Sequence, residues 1–255
     1  NSTVAEIMIP DVLSVNVHAD QEEVADLMSK YNLLALPVVD DEDHILGIIT
    51  VDDIVDVIHD EASEDMYRLA GTSEAEADEG ASPVPAYRAR MPWLLATIVG
   101  GFCSGAVLNY FELTLQQISA LIIFVPMMTG LAGNVGTQSC TVTVRGLAMG
   151  NVDKKQTAST VGREALIGLG LGLTVGLIVC GISFIWKTSM ALGITLGLTI
   201  LVNNVTAALI GTTVPLLLDR IHIDPAVSSA PLITTATDIM GIFNYSMMAI
   251  LIFHL

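Results

Sequence analysis

Five long stretches of this chain carry almost no charge, and no other feature limits the possible folds as sharply. Pro92–Phe111 is 20 residues without a charged side chain, Leu113–Val144 is 32, Ala165–Trp186 is 22 and Thr188–Leu218 is 31; Ala230–Phe253 is 24 with one acid, Asp238. A helix needs about 20 apolar residues to cross the hydrocarbon of a bilayer, so each stretch is long enough to span it. Five buried helices of this kind in succession do not fit an ordinary soluble domain. The expected fold class is an α-helical membrane protein with five transmembrane helices per subunit, placed in the lipid bilayer of the cell membrane.

Charge divides the chain. Residues 1–80 hold 21 of the 27 acidic residues and two of the ten basic ones, a net of −19, whereas residues 81–255 come to +2. An acidic soluble module therefore precedes the membrane block. It offers no basic face to phosphates, which excludes nucleic acid as a partner and points towards cations. The basic residues Arg88, Arg90, Lys154, Lys155, Arg163 and Arg220 fall on one side of the membrane, opposed by Lys187 alone. That bias puts the N-terminus inside and, with five spans, the C-terminus outside. Cys103, Cys140 and Cys180 all lie in the apolar block without disulfide-like spacing and read as small packing residues. The N-terminus has no apolar signal sequence, and a start at Asn1 suggests a fragment or processed product.

Residues 12–60 read as strand, helix, strand, strand, helix. Val12–Val17 is a short strand signal. Asp20 with Glu23 three residues on forms a capping box, followed by Val24, Leu27, Met28 and Tyr31 at helical spacing. Ala35–Val39 and Ile45–Thr50 are β-branched runs joined by the acidic turn at residues 40–43, a hairpin. Thr50 caps a second helix with Ile54, Val55, Val57 and Ile58 on its buried side. This order, with L-P-V-V-D at 36–40, G-I-I-T at 47–50 and Asp52-Asp53, resembles a CBS domain. Such domains work in pairs and often bind ATP or ADP in the cleft between them. The resemblance would put Thr50 and Asp53 on the ribose; alternatively both merely cap a helix. One repeat alone leaves that cleft incomplete.

The second helix runs into an acidic ridge, with Asp52, Asp56, Asp60 and Glu64 at i, i+4 and Glu61 and Asp65 beside them. Like charges at that spacing oppose the helix by about 0.2–0.5 kcal/mol per pair. Either the face is simply solvated or divalent cations neutralise it; carboxylate oxygens favour Mg²⁺ or Ca²⁺. Residues 71–85 read as a polar, proline-bounded linker.

Polar residues inside the spans are the informative ones. T-G-L-A-G-N-V-G-T-Q-S at 129–139, behind Pro126, reads as an interruption of the second span, tolerated only where it lines a cavity or packed interface. Asn134 and Gln138 share a face at i, i+4. Asn203 and Asn204 mark the middle of the fourth span. Asp238 lies inside the fifth, and an intramembrane carboxylate is a functional-site candidate by default. It serves a cation pathway, or is protonated and bonded to a neighbouring Asn, or pairs with an Arg. Glycines at four-residue spacing (Gly101 and Gly105; Gly168, Gly172 and Gly176; Gly193 and Gly197) suggest close helix approach, including to a partner subunit.

The CBS segment, the acidic helix, five spans, P-M-M-T-G-L-A-G-N-V-G-T-Q-S at 126–139 and D-P-A…T-T…D…G at 224–241 together resemble the MgtE family of Mg²⁺ channels and transporters. That resemblance implies a homodimer with a pore along its axis. It implies that Asp238 of both subunits selects hydrated Mg²⁺, with Asn134, Gln138, Thr234 and Thr235 lining or supporting the pore and Asp224 nearby. It further implies that Mg²⁺ at Asp53, Asp56, Glu61, Glu64 and Asp65 closes the pore through a plug helix continuing over 66–71. The domains expected are 1–60 CBS (the second of a family pair), 61–90 connecting helix and linker, and 91–255 pore; the family's N-terminal domain and first CBS repeat are expected to be absent.

Enzymatic chemistry is not expected. None of His18, His44, His59, His222 or His254 stands in an H-E-x-x-H motif, and no Ser-His pair lies in adjacent spans. An ion-coupled secondary transporter and selection of Co²⁺ or Mn²⁺ remain alternatives to a Mg²⁺ channel.

Overall fold

The computed structural model describes residues 12–73, 82–112, 120–150, 157–185 and 189–253, with Thr3, Glu6, Met8 and Val152. The linker residues 74–81, Leu113 and the start of the second expected span, Lys154, Lys155, Lys187 and His254 lie outside the described residues. The chain divides into two compact units, Asn1–Asp65 and Met66–Leu255.

In the first unit, β1 (Val15–Asn16) pairs in parallel with β2 (Ala35–Val39), which pairs antiparallel with β3 (Ile45–Thr50), in the order β1-β2-β3. The strand expected over Val12–Val17 shrinks to Val15–Asn16; at its end the Asn16 side-chain oxygen accepts from the His18 amide at 2.9 Å and starts a turn. Helix α1 (Gln21–Tyr31) is capped by Asp20, which accepts from the Glu22 amide at 2.9 Å, and stops at Asn32 in the left-handed region. Val24, Ala25 and Met28 point into a core shared with Leu36 and Ile54. Tyr31, expected inside, is 49% exposed.

The hairpin turn is organised by Asp40, whose Oδ1 accepts the amides of Glu42 and His44, each at 2.9 Å. The His44 amide is the chief reason the Asp40 carboxyl titrates below its ordinary value; the Glu42 amide and the His44 ring add to it, and desolvation opposes it. Helix α2 (Val51–Leu69) follows β3 directly. Ile54 is buried and Val57 half-buried, but Val55 and Ile58, expected on the buried side, are 60% and 48% exposed. They join Leu34, Ile45, Leu46 and Ile48 as exposed apolar residues. The module thus leaves apolar side chains uncovered outside its core, which hydrophobic spacing alone cannot tell from buried ones.

Among the described residues, the second unit contains the last turn of α2 and five helices long and apolar enough to cross a membrane. They are α3 (Pro83–Tyr110), the short α4 (Ala120–Ile123) leading into α5 (Val125–Ala148), α6 (Thr157–Ile185), α7 (Met190–Arg220) and α8 (Ala230–Phe253). A 3₁₀ turn, Pro225–Val227, precedes α8. Helix α7 is central and packs on α5, α6 and α8. The linker expected to reach residue 85 ends earlier. Ser82 caps α3 and Pro83 opens it, since a proline in the first turn costs no hydrogen bond.

The interruption expected at 129–139 is absent: α5 runs unbroken through Gly130, Gly133 and Gly136. The break falls at Phe124, so that Pro126 sits in the first turn rather than inside a helix. These glycines serve close approach instead of bending. A Cβ at Gly136 would lie 2.9 Å from Thr237 Cγ2, and Gly211 abuts the Gly136 carbonyl. The glycine ladders of α6 and α7 are likewise used within the chain. Cβ atoms at Gly168, Gly172 and Gly176 would meet the α7 backbone at 2.8, 2.8 and 2.6 Å. Gly101 and Gly105 have nothing within 4 Å.

Candidate ion-conduction site

The polar residues singled out in the spans lie on α5, α7 and α8. On α5, Thr129, Thr137, Thr141 and Thr143 each return their hydroxyl to a carbonyl of the preceding turn, satisfying themselves inside the helix. Gly133 and Gly136 face Thr234, Ile233 and Thr237 of α8. What remains outward is an exposed stripe of Gly130, Asn134, Gln138 and Thr141. An exposed amide stripe along a membrane-length helix is costly against lipid and suits water, an ion or another subunit.

On α8, Thr234 donates to the Ala230 carbonyl at 2.9 Å while its methyl packs over Gly133. Thr235 turns the other way, its methyl filling the space above Gly100 of α3 and its buried hydroxyl without a hydrogen-bond partner. Asp238 is half-buried and makes no hydrogen bond or ion pair among the described residues. Neither Asn203 nor Asn204 engages it. Asn203, buried in α7, accepts from Asn244 Nδ2 at 3.1 Å, and Asn244 also donates to Thr206 at 3.3 Å. The Asn204 side-chain oxygen is buried without a partner. Tyr245 donates to the Leu121 carbonyl at 2.7 Å, fastening α8 to the break that precedes α5.

Asp224 lies at the entrance to α8. Its Oδ1 accepts from the Ala226 amide at 2.8 Å, capping the 3₁₀ turn, and its Oδ2 pairs with Arg68 from the last turn of α2. Leu69 packs beside Cys140, Val144, Ala226 and Ile233, and Gly71, at φ +74°, lies against Pro231 and Trp93. The tail of the acidic helix thus docks on the segment that leads into the Asp238 helix.

In the first unit, Thr50 Oγ1 donates to Asp53 Oδ2 at 3.1 Å, a helix-capping arrangement. Asp56 is exposed; Glu61 accepts from Gln21 at 2.7 Å; Glu64 and Asp65 are half-buried. Among the described residues the ridge carboxylates do not converge on one point. The three ligand-type groups that do are Asp40, Glu42 and His44 of the hairpin, within 4.8 Å of one another and largely exposed. Glu164 of α6 was missed by the sequence reading: it is 5% exposed and accepts from Ser139 Oγ of α5 at 3.0 Å. It stands just before the uncharged run that begins at Ala165, so it marked the edge of a span instead of its contents.

Residues 125–248 match the MgtE family, described as a divalent cation transporter, and residues 4–60 match the CBS domain. The chain is 36% identical over 251 residues to "Magnesium transporter MgtE" of Bacillus subtilis (strain 168), covering 98% of this chain and 55% of that protein. It is 38% identical over 245 residues to the protein of that name from Enterococcus faecalis, covering 96% and 54%, and 38% identical over 243 residues to that of Thermus thermophilus, covering 95% and 54%. Among solved structures, "Crystal structure of the soluble part of a magnesium transporter" aligns at 53% identity over 24% of each chain, with a TM-score of 0.24. The chain spans about half the length of the curated relatives it matches. It is a multi-pass membrane protein with a CBS domain ahead of its spans, and it belongs to the MgtE family.

Proposed function

We propose that the chain conducts Mg²⁺ across the cell membrane along a path lined by α5 and α8, with Asp238 as the selecting charge. The observation that carries this is Asp238 itself: a half-buried carboxylate in a membrane-length helix, bonded to nothing among the described residues. Such a group is expensive in a bilayer unless a cation or water meets it. Mg²⁺ gives up its waters reluctantly, so carboxylates and the amides of Asn134 and Gln138 would hold the hydrated ion through its shell. A homodimer would set two Asp238 carboxylates across a two-fold axis, balancing one divalent charge. The exposed α5 stripe and the uncovered apolar side chains of the CBS module support that pairing. The CBS module (1–60) lies in the cytoplasm, the connecting helix and linker (61–90) follow it, and the pore domain (91–255) ends outside. Cytosolic Mg²⁺ at Asp53, Asp56, Glu61, Glu64 and Asp65 favours closure, transmitted through the docked tail of α2. Nucleotide at Thr50 and Asp53 would have to displace the bond those residues make to each other.

Mg²⁺ flux into proteoliposomes at clamped membrane potential, with Na⁺, Co²⁺ and Mn²⁺ competing, tests this. Asp238→Asn keeps the shape and removes the charge, and is expected to abolish Mg²⁺ flux in a folded dimer. Undiminished flux and selectivity in that variant would refute the assignment, and unitary current events would distinguish a channel from a coupled transporter.

A further inference from the structure

We infer that Glu164 is a positioning residue for the conducting face of α5, holding Asn134 and Gln138 at their angle through its bond to Ser139. This rests on α5 lining the ion path. Helix α5 meets α7 and α8 through Gly133 and Gly136, where backbone approaches backbone or a small side chain, and through the apolar side chains of Met128, Val135 and Val144. Such a surface allows close approach, but none of these contacts is a directional bond to another helix. The threonines do not supply one, because each hydroxyl is spent on a carbonyl of α5.

Ser139 breaks that pattern. Of the α5 hydroxyls among the described residues, it alone bonds to another helix, donating to Glu164 Oε2 at 3.0 Å. Both partners are buried, at 4% and 5% exposure. Ser139 directly follows Gln138, so any rotation that frees it swings Gln138 as well. The next residue, Cys140, makes the other off-helix side-chain hydrogen bond of α5 among the described residues, with its thiol 3.0 Å from the Ser228 carbonyl. The hydrogen-bonded anchorage of α5 is therefore concentrated at one level, beside the second amide of the conducting stripe.

Glu164 is also the first rung of the α6 ladder that continues as Gly168, Gly172 and Gly176. Where the later rungs admit the α7 backbone, this one places a carboxyl against α5. No Lys or Arg pairs with it among the described residues. A buried carboxyl held by one neutral donor is a poor way to stabilise a membrane bundle, since an apolar pair would pack at less cost. Directional bonding to a polar neighbour is what a carboxyl offers that a methyl does not.

The test uses the full chain in proteoliposomes, with Cys103 and Cys180 replaced, buried Cys140 retained, and Thr141→Cys added on the exposed stripe as a reporter. The rate at which a charged, water-soluble thiol reagent modifies position 141 is measured beside the Mg²⁺/Na⁺ selectivity of chains that keep Thr141. Glu164→Ala and Ser139→Ala are each expected to change the labelling rate and the selectivity about tenfold. Glu164→Gln retains an acceptor oxygen and is expected to stay within about twofold of the parent. Glu164→Gln behaving like Glu164→Ala would overturn the inference, because charge rather than bonding would then be at work. Lowered thermal stability with unchanged labelling and selectivity in the folded fraction would overturn it too, leaving a purely structural pair. Labelling requires no transport, so loss of the conduction reading and loss of the positioning role are separately visible.

Discussion

Substitution of Gly176 by alanine tests how the membrane helices are held together. A Cβ there would lie 2.6 Å from the Gly197 carbonyl oxygen, a backbone atom that no rotamer change can move. Ordinary contact lies near 3.4 Å, so α6 and α7 must part locally by about 0.8 Å, and such a gap forfeits about a quarter to a half of each contact's attraction. Overpacking of this kind costs about 1–3 kcal/mol. Gly170 lies on the same helix with nothing within 4 Å of its would-be Cβ, so Gly170→Ala meets no obstacle and gains helix propensity. Thermal unfolding of the detergent-solubilised chain, followed by the folded fraction on size exclusion, is expected to show Gly176→Ala melting about 2–12 °C below the parent. Gly170→Ala is expected at or above it. Equal melting of Gly176→Ala and the parent, or equal losses for both variants, would refute the reasoning that backbone contact between α6 and α7 carries this interface.

Two further outcomes follow from single hydrogen bonds. Tyr245→Phe removes the donor to the Leu121 carbonyl, leaves that carbonyl with the Phe124 amide alone where α4 meets α5, and is expected to cost about 0.5–1.5 kcal/mol in the same melting assay. Asp40 titrates below its ordinary value when folded, so the stability it lends the hairpin is present above about pH 4 and is lost as the pH falls through the lowered folded value. Hydrogen exchange at the Glu42 and His44 amides, corrected for intrinsic rates, is expected to lose protection over that interval, and Asp40→Asn is expected to flatten the dependence.

Legibility in the sequence varied with how local the signal was. Ala35–Val39, Ile45–Thr50 and Ala230–Phe253 have the bounds their punctuation suggests, because an acidic turn, a capping Thr and a Pro act through adjacent residues. The run at 129–139 misled because glycine breaks helices in water, where nothing rewards its missing side chain. Between packed membrane helices the same absence admits a neighbour. Glu164 is not legible from the uncharged runs, since α6 begins at Thr157 and carries the charge inside it. The α6 and α7 ladders were legible as close-approach surfaces, but their partner was not, and it proved to be each other. Arg68 and Asp224 are 156 residues apart, and no periodicity foretells their pairing.

The uncovered apolar side chains of the CBS module bear on the colloidal behaviour of the chain. Leu34, Ile45, Leu46, Ile48, Val55 and Ile58 lie open on a module whose residues 1–65 carry 17 acids and one base. Two such modules repel at a distance and attract on contact, so charge acts as a barrier in front of a sticky surface. The Debye length falls from about 10 Å at 0.1 M salt to about 3 Å at 1 M, which thins the barrier and leaves the attraction in place. Added salt, which loosens interfaces built on ion pairs, will here drive the modules to cluster.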